Sequence, residues 1–505
     1  MTAEKRVPIP QTERKVWPGS REAEPLTADS DVLLTAWLRP RRGGDLDVEK
    51  ARTLGLTPPL QRTYADRKTL ARQTDADPAD IELLRRYCGR FDLMVVDSHW
   101  RSVSISGSLD RLVRAFGATV AIFEDEGRRR FRHRSEALHV PPEVASVVRG
   151  IFGLHQWPRS RKLGSLERHS TPLRARDVAA RYQFPDADGR GQTIGVVQLR
   201  GLFEPSDFDR CMSAQGVTAA RPVVKRVDSA AVAHEIATTK DLEAALDVQI
   251  IGSLVPGARI VVYEAPDDER GFLDAIRAAL FDQEQSPGVL SISYGWPEHL
   301  WTPVALTILD ELFTVAALLG VSVFCSSGDD GAELDYDGKP HVLAPASSPF
   351  AIACGATIIP NDGTQEAAWE KTGGGFSERF AFPPWQTVAP SAASHYGVPP
   401  GRGVPDVAAQ QNPGYYVIME GTELAMGGTS AVAPMWAALT ARINQRLGTR
   451  IGFFLPILYG QIGEHLFDDV ITGSNGPFQA GAGWNPCTGL GVPIGIAIEK
   501  ALGGS

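Results

Sequence analysis

Residues 241–266, DLEAALDVQIIGSLVPGARIVVYEAP, join a helical pattern to an extended one. The first half carries apolar side chains at helical spacing, and Pro256 and Gly257 then end that pattern. An unbroken apolar run rich in β-branched residues follows, which is typical of a strand in a parallel sheet covered on both faces. The stretch therefore predicts one helix and one buried strand of an α/β domain.

Similar apolar runs lie on both sides of this stretch. They are QTIGVVQL (192–199), GVLSISYG (288–295), VSVFCSSGD (321–329) and FAIACGAT (350–357). Helical patterns such as LTILDELFTVAALLG (306–320) separate several of them. This alternation predicts an α/β domain with a doubly wound, mostly parallel sheet, whose functional groups are expected on loops at the carboxyl ends of the strands.

The chain upstream follows a different pattern. Residues 29–155 mix alternating, strand-like runs with amphipathic helical patterns, which predicts a compact α+β unit. Residues 1–28 are polar and are predicted to be a disordered tail. Residues 156–172 mix Pro, Arg, Ser and Gly without periodicity and are predicted to be an exposed linker open to proteolysis. The α/β domain then takes residues 173–505.

The net charge of −9 hides an asymmetry along the 505-residue chain. Residues 1–170 carry +7 and residues 171–505 carry −16. Opposite charges of this size favour attraction between the two parts. Nucleic-acid binding by the basic part is the alternative, but its Arg-rich run GRRRFRHR (127–134) lacks the clustered aromatic rings of such proteins. We interpret that run as a solvated turn between strands and expect no nucleic-acid partner.

Composition excludes several classes of protein. Hydrophobic residues make up 43% of the chain and charged residues 22%, as in ordinary globular proteins. The longest apolar stretch, 312–325, is shorter than the roughly 20 residues that a membrane helix needs. The first twenty residues contain no apolar segment of the kind found in secretory signals. The cysteines are widely spread without a CxxC pair, and we expect them to be mostly free and buried: Cys88, Cys211, Cys325, Cys354 and Cys487.

The strongest local signal for chemistry is AMGGTSAVAP (425–434). Gly427 and Gly428 allow close approach of the backbone, and Ser430 then begins a long helical pattern. A hydroxyl beside the free N–H groups of a helix start can be a nucleophile next to an oxyanion site. An ordinary helix cap is the alternative interpretation.

Three carboxylates are further candidates. Glu243 and Asp247 are four residues apart on one face of a helix, and the residues flanking them are apolar. Both are therefore expected to be buried neighbours rather than part of a solvated acidic face. Asp329 follows a buried strand in a loop with glycines. The histidines lie in residues 1–155, in the linker or in polar loops, so a subtilisin-type Ser-His-Asp triad is not evident. Such a triad is kept as an alternative.

These motifs, E-x-x-x-D, SSGD and GGTSAxAP, occur in the order of the sedolisin family of serine-carboxyl peptidases. Longer segments, such as LAPASSPFAIACGAT (343–357) and GWNPCTGLGVPIG (483–495), also resemble this family, and its kumamolisins in particular, in the proenzyme form. The resemblance implies a subtilisin-like catalytic domain preceded by an inhibitory α+β propeptide domain. It further implies an acid-acting endopeptidase for polypeptide substrates that removes its own propeptide by cleavage within residues 156–172. A monomer that acts outside the cell is implied as well.

The resemblance assigns a role to each candidate residue. Ser430 resembles the nucleophile, Glu243 the general base and acid, Asp247 the carboxylate that orients Glu243, and Asp329 the oxyanion-site acid. One Ca²⁺ is implied as the cofactor. Its implied ligands are the side chain of Asp469, the carbonyls of Val470, Gly481 and Gly483, and the side chain of Asn485, which stands where the family has a carboxylate.

Two other departures concern the surroundings of the acid-base pair. Gln198 stands where the family carries Glu, and Tyr294 stands where it carries Trp. With Asn485 they motivate an alternative, a catalytically silent relative that binds peptides or proteins. A tripeptide-releasing exopeptidase of the same family is also open.

Overall fold

The computed structural model describes most of the chain in two packed units, the first ending at residue 156 and the second starting at residue 171. The described residues are 5–25, 31–156, 165–166, 171–199, 201, 203–227, 242–332, 338–360 and 365–504. Most of the predicted linker, 156–172, therefore lies outside the described residues.

The first unit has the predicted α+β architecture. An antiparallel sheet of order β4-β5-β3-β9 forms its centre, a second sheet has the order β2-β6-β7, and β1 pairs with β8. The strands are β1 Val7–Pro8, β2 Arg21–Pro25, β3 Asp31–Leu38, β4 Met94–His99, β5 Ser102–Ser108, β6 Thr119–Glu124, β7 Arg130–Ser135, β8 His139–Val140 and β9 Val148–Phe152. The helices are α1 Val48–Leu56, α2 Arg67–Thr74, α3 Pro78–Gly89, α4 Leu109–Phe116 and α5 Pro142–Ala145, with a 3₁₀ turn Pro59–Gln61.

The prediction of a disordered tail over residues 1–28 is wrong for residues 5–25. Strands β1 and β2 pair with β8 and β6, Ile9 is fully buried, and Arg14 forms a buried ion pair with Glu269 of the second unit. The polar composition hides this order because the partners that anchor the segment are about a hundred residues or more away along the chain.

The interpretation of residues 127–134 as a solvated turn is also wrong in part. The turn ends before Arg130, and the following residues form β7, in which Phe131, His133 and Arg134 are buried. Strand alternation turns Phe131 and His133 inward, and the density of arginines obscures that pattern in the sequence.

The second unit contains the predicted doubly wound sheet. Its parallel strands follow the order β12-β13-β11-β14-β16-β18-β22, and β19 adds antiparallel to β18. These strands are β11 Thr193–Leu199, β12 Val223–Arg226, β13 Arg259–Ala265, β14 Val289–Ile292, β16 Ser322–Ser326, β18 Ile352–Ile358, β19 Ala367–Ala368 and β22 Val407–Asn412. Shorter strands lie outside this sheet: β10 Ser165–Leu166, β15 Trp296–Pro297, β17 Leu343–Ala344, β20 Gly375–Phe376, β21 Gly403–Val404, β23 Tyr415–Met419, β24 Thr422–Gly427, β25 Phe467–Asp468 and β26 Val492–Pro493.

Helices cover this sheet. They are α6 Ala175–Arg181, α7 Pro205–Gln215, α8 Leu242–Leu254, α9 Glu269–Phe281, α10 Pro303–Leu319, α11 Ala389–His395, α12 Thr429–Leu447, α13 Leu455–Gly460 and α14 Gly495–Gly503, with a 3₁₀ turn Glu298–Leu300. Helices α8 and α12 pack against each other, and α12 crosses β14, β16 and β18. Helices α9 and α10 pack together and contact the first unit.

Opposite charges of the two units form specific contacts. Glu311 of α10 binds Arg149 at 2.5 Å and Arg101 at 3.1 Å. Thr35 Oγ1 of the first unit donates a hydrogen bond to Asp274 Oδ2 of α9 at 2.7 Å. The basic unit is thus held on the acidic unit through buried or half-buried carboxylates.

The cysteines behave as the sequence predicts, since all five are free and buried. Within the part of the chain that the structure describes, no helix is both long enough and apolar enough to span a membrane.

Candidate active site

The start of α12 brings three loops of the second unit together. Gly428 precedes the helix with a φ of 90°, a conformation that favours glycine, and Thr429 and Ser430 form the first turn. Ser430 is fully buried. The loop after β14 and the loop after β16 both contact this turn, so the carboxyl ends of neighbouring parallel strands meet at the predicted nucleophile.

Asp329, in the loop after β16, is bound to the residue next to Ser430. Its Oδ1 accepts hydrogen bonds from Thr429 N at 2.8 Å and from Thr429 Oγ1 at 2.7 Å. Its Oδ2 is shielded from solvent and has no hydrogen-bond partner among the described residues. Burial raises the pKa of Asp329 from 3.8 to about 8, so Oδ2 carries a proton below that pH and can donate it to a bound oxygen.

Asp247 is linked to the nucleophile through Ser293. Ser293 Oγ lies 2.9 Å and 3.0 Å from the two oxygens of Asp247, to which it donates, and 3.3 Å from the carbonyl of Ser430. The Ser293 carbonyl lies 3.5 Å from Ser430 Oγ. Ser293 is not among the predicted site residues, although it directly follows β14, at the kind of strand end where functional groups are expected.

Glu243 lies one helical turn before Asp247 on α8, and both side chains are buried, as their apolar neighbours predict. Helix α8 packs against α12, which carries Ser430. The structure therefore brings Asp247, Asp329 and Ser430 into one hydrogen-bonded region, with Glu243 on the adjoining turn of α8.

Gln198 and Tyr294 form a polar pair in the same part of the sheet. Gln198 Nε2 donates to Tyr294 Oη at 2.6 Å, and both side chains are buried. Tyr294 directly follows Ser293, so this pair adjoins the residue that binds Asp247.

A short piece of the linker lies beside the nucleophile. Ser165 and Leu166 pair antiparallel with Gly427 and Met426, at the end of the strand that leads into α12. Addition of a strand to an exposed edge is a common way of binding an extended peptide.

The C-terminal loop differs from an oxygen-lined cation site. Asn485 Nδ2 donates to the carbonyls of Gly481 at 3.0 Å and Gly483 at 3.4 Å, and Asp469 Oδ2 accepts from Gly483 N at 3.2 Å. Asn485 Oδ1 faces away, toward backbone N–H groups. The residues present do not fit the Ca²⁺ that the resemblance implies, because a hard cation binds oxygen and an N–H group cannot be its ligand.

Two family models match the chain. Residues 19–157 match the activation domain of pro-kumamolisin, and residues 229–450 match the subtilase family.

Curated relatives and a solved structure agree with these models. Kumamolisin from Bacillus sp. (strain MN-32) is 36% identical, over 99% of this chain and 96% of the relative. Tripeptidyl-peptidase 1 from Mus musculus is 30% identical, over 72% of this chain and 71% of the relative. Pseudomonas sedolisin, described as a serine-carboxyl proteinase, has a solved structure that matches with a TM-score of 0.56 and 25% identity, over 66% of this chain and 98% of that chain.

Proposed function

The chain belongs to the sedolisin family of serine-carboxyl peptidases and has the domain order of a kumamolisin proenzyme, and from this premise we propose how its residues carry out peptide hydrolysis. Ser430 is the nucleophile, Glu243 the general base and acid, Asp247 the carboxylate that orients Glu243, and Asp329 the oxyanion-site acid. The observation that supports these roles is the geometry at the start of α12, where Ser430 adjoins both the Asp247–Ser293 contact and Asp329. The alternative of a silent binding relative is not favoured.

The proposed reaction has two halves. Glu243 takes the proton of Ser430 Oγ as that oxygen attacks the substrate carbonyl carbon, and the carbonyl π electrons move to its oxygen. Protonated Asp329 donates a hydrogen bond to this oxyanion. Glu243 then passes its proton to the leaving amine as the oxyanion electrons re-form the carbonyl and the C–N bond breaks, so that an acyl ester stays on Ser430. Water attacks this ester while Glu243 takes its proton. The ester C–O bond then breaks, Glu243 returns the proton to Ser430 Oγ, and the free enzyme is restored.

The protonation state of Asp329 sets the upper pH limit of this reaction. A neutral carboxyl group donates to the oxyanion, whereas an ionised one repels it. Since the pKa of Asp329 is raised to about 8, the donor is in place in acid and neutral solution and is lost above that pH. We propose action at acid pH, where this donor is protonated and the charged contacts that hold the first unit weaken.

The first unit is a propeptide domain, and we propose that it inhibits the enzyme until acid releases it. Ser165 and Leu166 occupy the edge of β24 next to the nucleophile, as a bound peptide would. The charge of Glu311 binds two arginines of the first unit and helps to hold the propeptide domain in place. Cleavage within residues 156–172 then separates the units. Endopeptidase action, a monomeric state and a location outside the cell remain predictions from the resemblance.

Incubation of the purified chain at about pH 4, followed by mass determination, tests the proposal. We expect shortening to a product that begins within residues 156–172, followed by cleavage of a denatured protein. Ser430→Ala and Glu243→Ala are expected to remain full length. Ser391→Ala and Glu284→Ala, which alter exposed residues of the same types, serve as controls and should behave as the parent chain. Shortening of purified Ser430→Ala at the parent rate would refute the proposal.

A further inference from the structure

Asn485 anchors the turn at the end of the C-terminal loop. Its Oδ1 accepts hydrogen bonds from Cys487 N at 3.1 Å, Thr488 N at 3.0 Å and Thr488 Oγ1 at 3.1 Å. Two of these donors are backbone N–H groups, which cannot accept a hydrogen bond. They therefore fix the side-chain orientation, because a flipped amide would set N–H against N–H.

The amide nitrogen must consequently face the other way. Nδ2 points to the carbonyls of Gly481 and Gly483, which the resemblance names as cation ligands, and donates to both. Asp469, the implied carboxylate ligand, accepts from the N–H of Gly483. The groups expected around a cation thus bind one another through N–H donors.

The backbone around Asn485 leaves the side chain little freedom to turn. Asn485 is 6% exposed, and its N–H and carbonyl bond to Gly489 at 3.2 Å and 2.9 Å. The neighbouring Trp484 donates to the carbonyl of Pro405 at 3.0 Å. Presenting Oδ1 to the carbonyls of Gly481 and Gly483 would break all three bonds that it accepts.

We propose that the Asn485 amide takes the place of a bound cation in this chain, so that the C-terminal loop is held without Ca²⁺. A carboxylate at this position would keep one oxygen on the N–H groups of residues 487 and 488 and turn its second oxygen toward the carbonyls. Asparagine instead turns its NH2 group, which has two hydrogens to donate, toward the same carbonyls, and it carries no negative charge. Hydrogen bonds from one amide then connect the two carbonyls that a metal would otherwise bridge.

Calcium titration and thermal unfolding of the full-length Ser430→Ala chain test the proposal. This background is used because it cannot shorten itself if the proposed function holds, but neither readout requires activity. We expect no calorimetric binding of Ca²⁺ at millimolar concentration. We also expect the same Tm, within about 1 °C, in CaCl₂ and in EDTA.

Asn485→Asp in the same background is the variant to compare with the chain that keeps Asn485. We expect it to bind one Ca²⁺ per chain and to gain about 3 °C or more in Tm when Ca²⁺ is added, because the second oxygen now faces the carbonyls. Asn485→Ala should lose stability equally with and without Ca²⁺.

Two results would overturn the proposal. One is stoichiometric Ca²⁺ binding by the Asn485 chain with a Tm that EDTA lowers. The other is a folded Asn485→Asp chain that gains no Ca²⁺ binding, which would show that the amide is not what excludes the cation. Both concern the metal alone, so they are independent of whether Ser430 is the nucleophile.

Discussion

Asp329 has its two carboxyl oxygens in different surroundings. Thr429 binds Oδ1 with two donors, whereas Oδ2 is buried without a partner among the described residues. Burial raises the pKa to about 8, above the ordinary 3.8, so the folded chain holds the proton more tightly than the unfolded one. The stability of the fold is therefore expected to fall as pH rises from about 4 through 8.

Replacement of Asp329 separates its donor role from its shape. Asp329→Ala should lower kcat by about a hundredfold or more, because one oxyanion donor is lost. Asp329→Asn keeps an acceptor for Thr429 and a permanent donor, so it should retain more activity than the Ala variant and lose the decline above about pH 8. The pH dependence of kcat for both variants, with exposed Asp186→Asn as the control, checks this. Equal loss in the Asn and Ala variants would count against the assignment.

Ser293 is expected to act as a positioning residue through Asp247. Ser293→Ala removes the hydroxyl that binds both oxygens of Asp247. A lost hydrogen bond to a charged group, about 1.5–3 kcal/mol, predicts a fall in kcat of roughly 10- to 100-fold with little change in KM. The acid side of the pH profile should also move to higher pH, because a carboxylate that has lost one hydrogen-bond donor is easier to protonate.

Ser291→Ala is the matched control for this variant. Ser291 is equally buried on β14, and its hydroxyl has no hydrogen-bond partner among the described residues. Equal effects of the two substitutions on kcat and on the pH profile would mean that Ser293 matters only for packing.

At this scale the sequence predicts residues that have a distinctive spacing. Glu243 and Asp247 stand out because two carboxylates interrupt an apolar helix, and Ser430 stands out behind two glycines. Ser293 could not be predicted in the same way, since a serine at a strand end is common. Its role arises from the meeting of the β14 loop with α8 and α12, which only the folded chain shows.

Strand β7 places a histidine pair inside the first unit. The rings of His133 and His155 lie 5.0 Å apart, and neither Nδ1 atom has a hydrogen-bond partner in the described part of the chain. The groups facing the pair are the rings of Phe123 and Phe131 and the cations of Arg14, Arg132 and Arg134, with Glu269 of α9 on Arg14. Burial and these cations lower the pKa of His133 to about 4 and that of His155 well below 6.5.

The sign of this shift predicts destabilisation by acid. Both rings are neutral when packed, and they bind protons more readily when exposed. The free energy of unfolding of the first unit therefore decreases as pH falls from 6.5 to about 4. For His133 the shift corresponds to about 3 kcal/mol.

His133→Phe should therefore delay the acid step. Phenylalanine keeps the ring contacts but cannot be protonated, so we expect self-shortening to begin at a lower pH than in the parent chain. The rate of shortening across pH 3 to 7 measures this, with exposed His99→Phe as the control. An unchanged pH midpoint in His133→Phe would show that the pair does not sense acid.

Elements differ in how far the sequence reveals them. The five central strands of the large sheet, β13, β11, β14, β16 and β18, are predictable because burial on both faces makes them continuously apolar. Strands β1 and β2 are not, because pairing with distant segments, rather than their own composition, fixes them. Strand β7 pairs with the neighbouring β6, but its many arginines obscure the alternation.

At the scale of the whole molecule, charged contacts join the two units beside apolar packing and hydrogen bonds to the backbone of the second unit. The difference between +7 and −16 predicts attraction but not the partners. The structure places Arg14 on Glu269, and Arg101 and Arg149 on Glu311. Which charges pair depends on how α9 and α10 are oriented against the first unit, and charge counts carry no such information.

Glu311→Gln should weaken the contact with the first unit. The neutral amide retains a hydrogen-bond acceptor but removes the charge that binds Arg101 and Arg149, so release of the propeptide unit is expected at higher pH. Self-shortening followed between pH 4 and 7 would detect the change, and Glu284→Gln on the exposed surface is the control. A parent-like pH range for Glu311→Gln would remove this contact from the account of activation.

The central claim is that a carboxylate, rather than a histidine, activates Ser430. The pH dependence of kcat/KM for a peptide substrate, measured from about pH 3 to 8 on the processed enzyme and on a Glu243→Gln chain processed in trans, tests it most directly. We predict that the parent enzyme is active at acid pH, with half-maximal activity reached well below pH 6.5 and a decline only toward about pH 8, where Asp329 ionises. Glu243→Gln should lose at least about a hundredfold at every pH. Activity that rises toward neutral pH with a midpoint near 6.5, and that survives Glu243→Gln, would contradict the claim and assign the base to histidine.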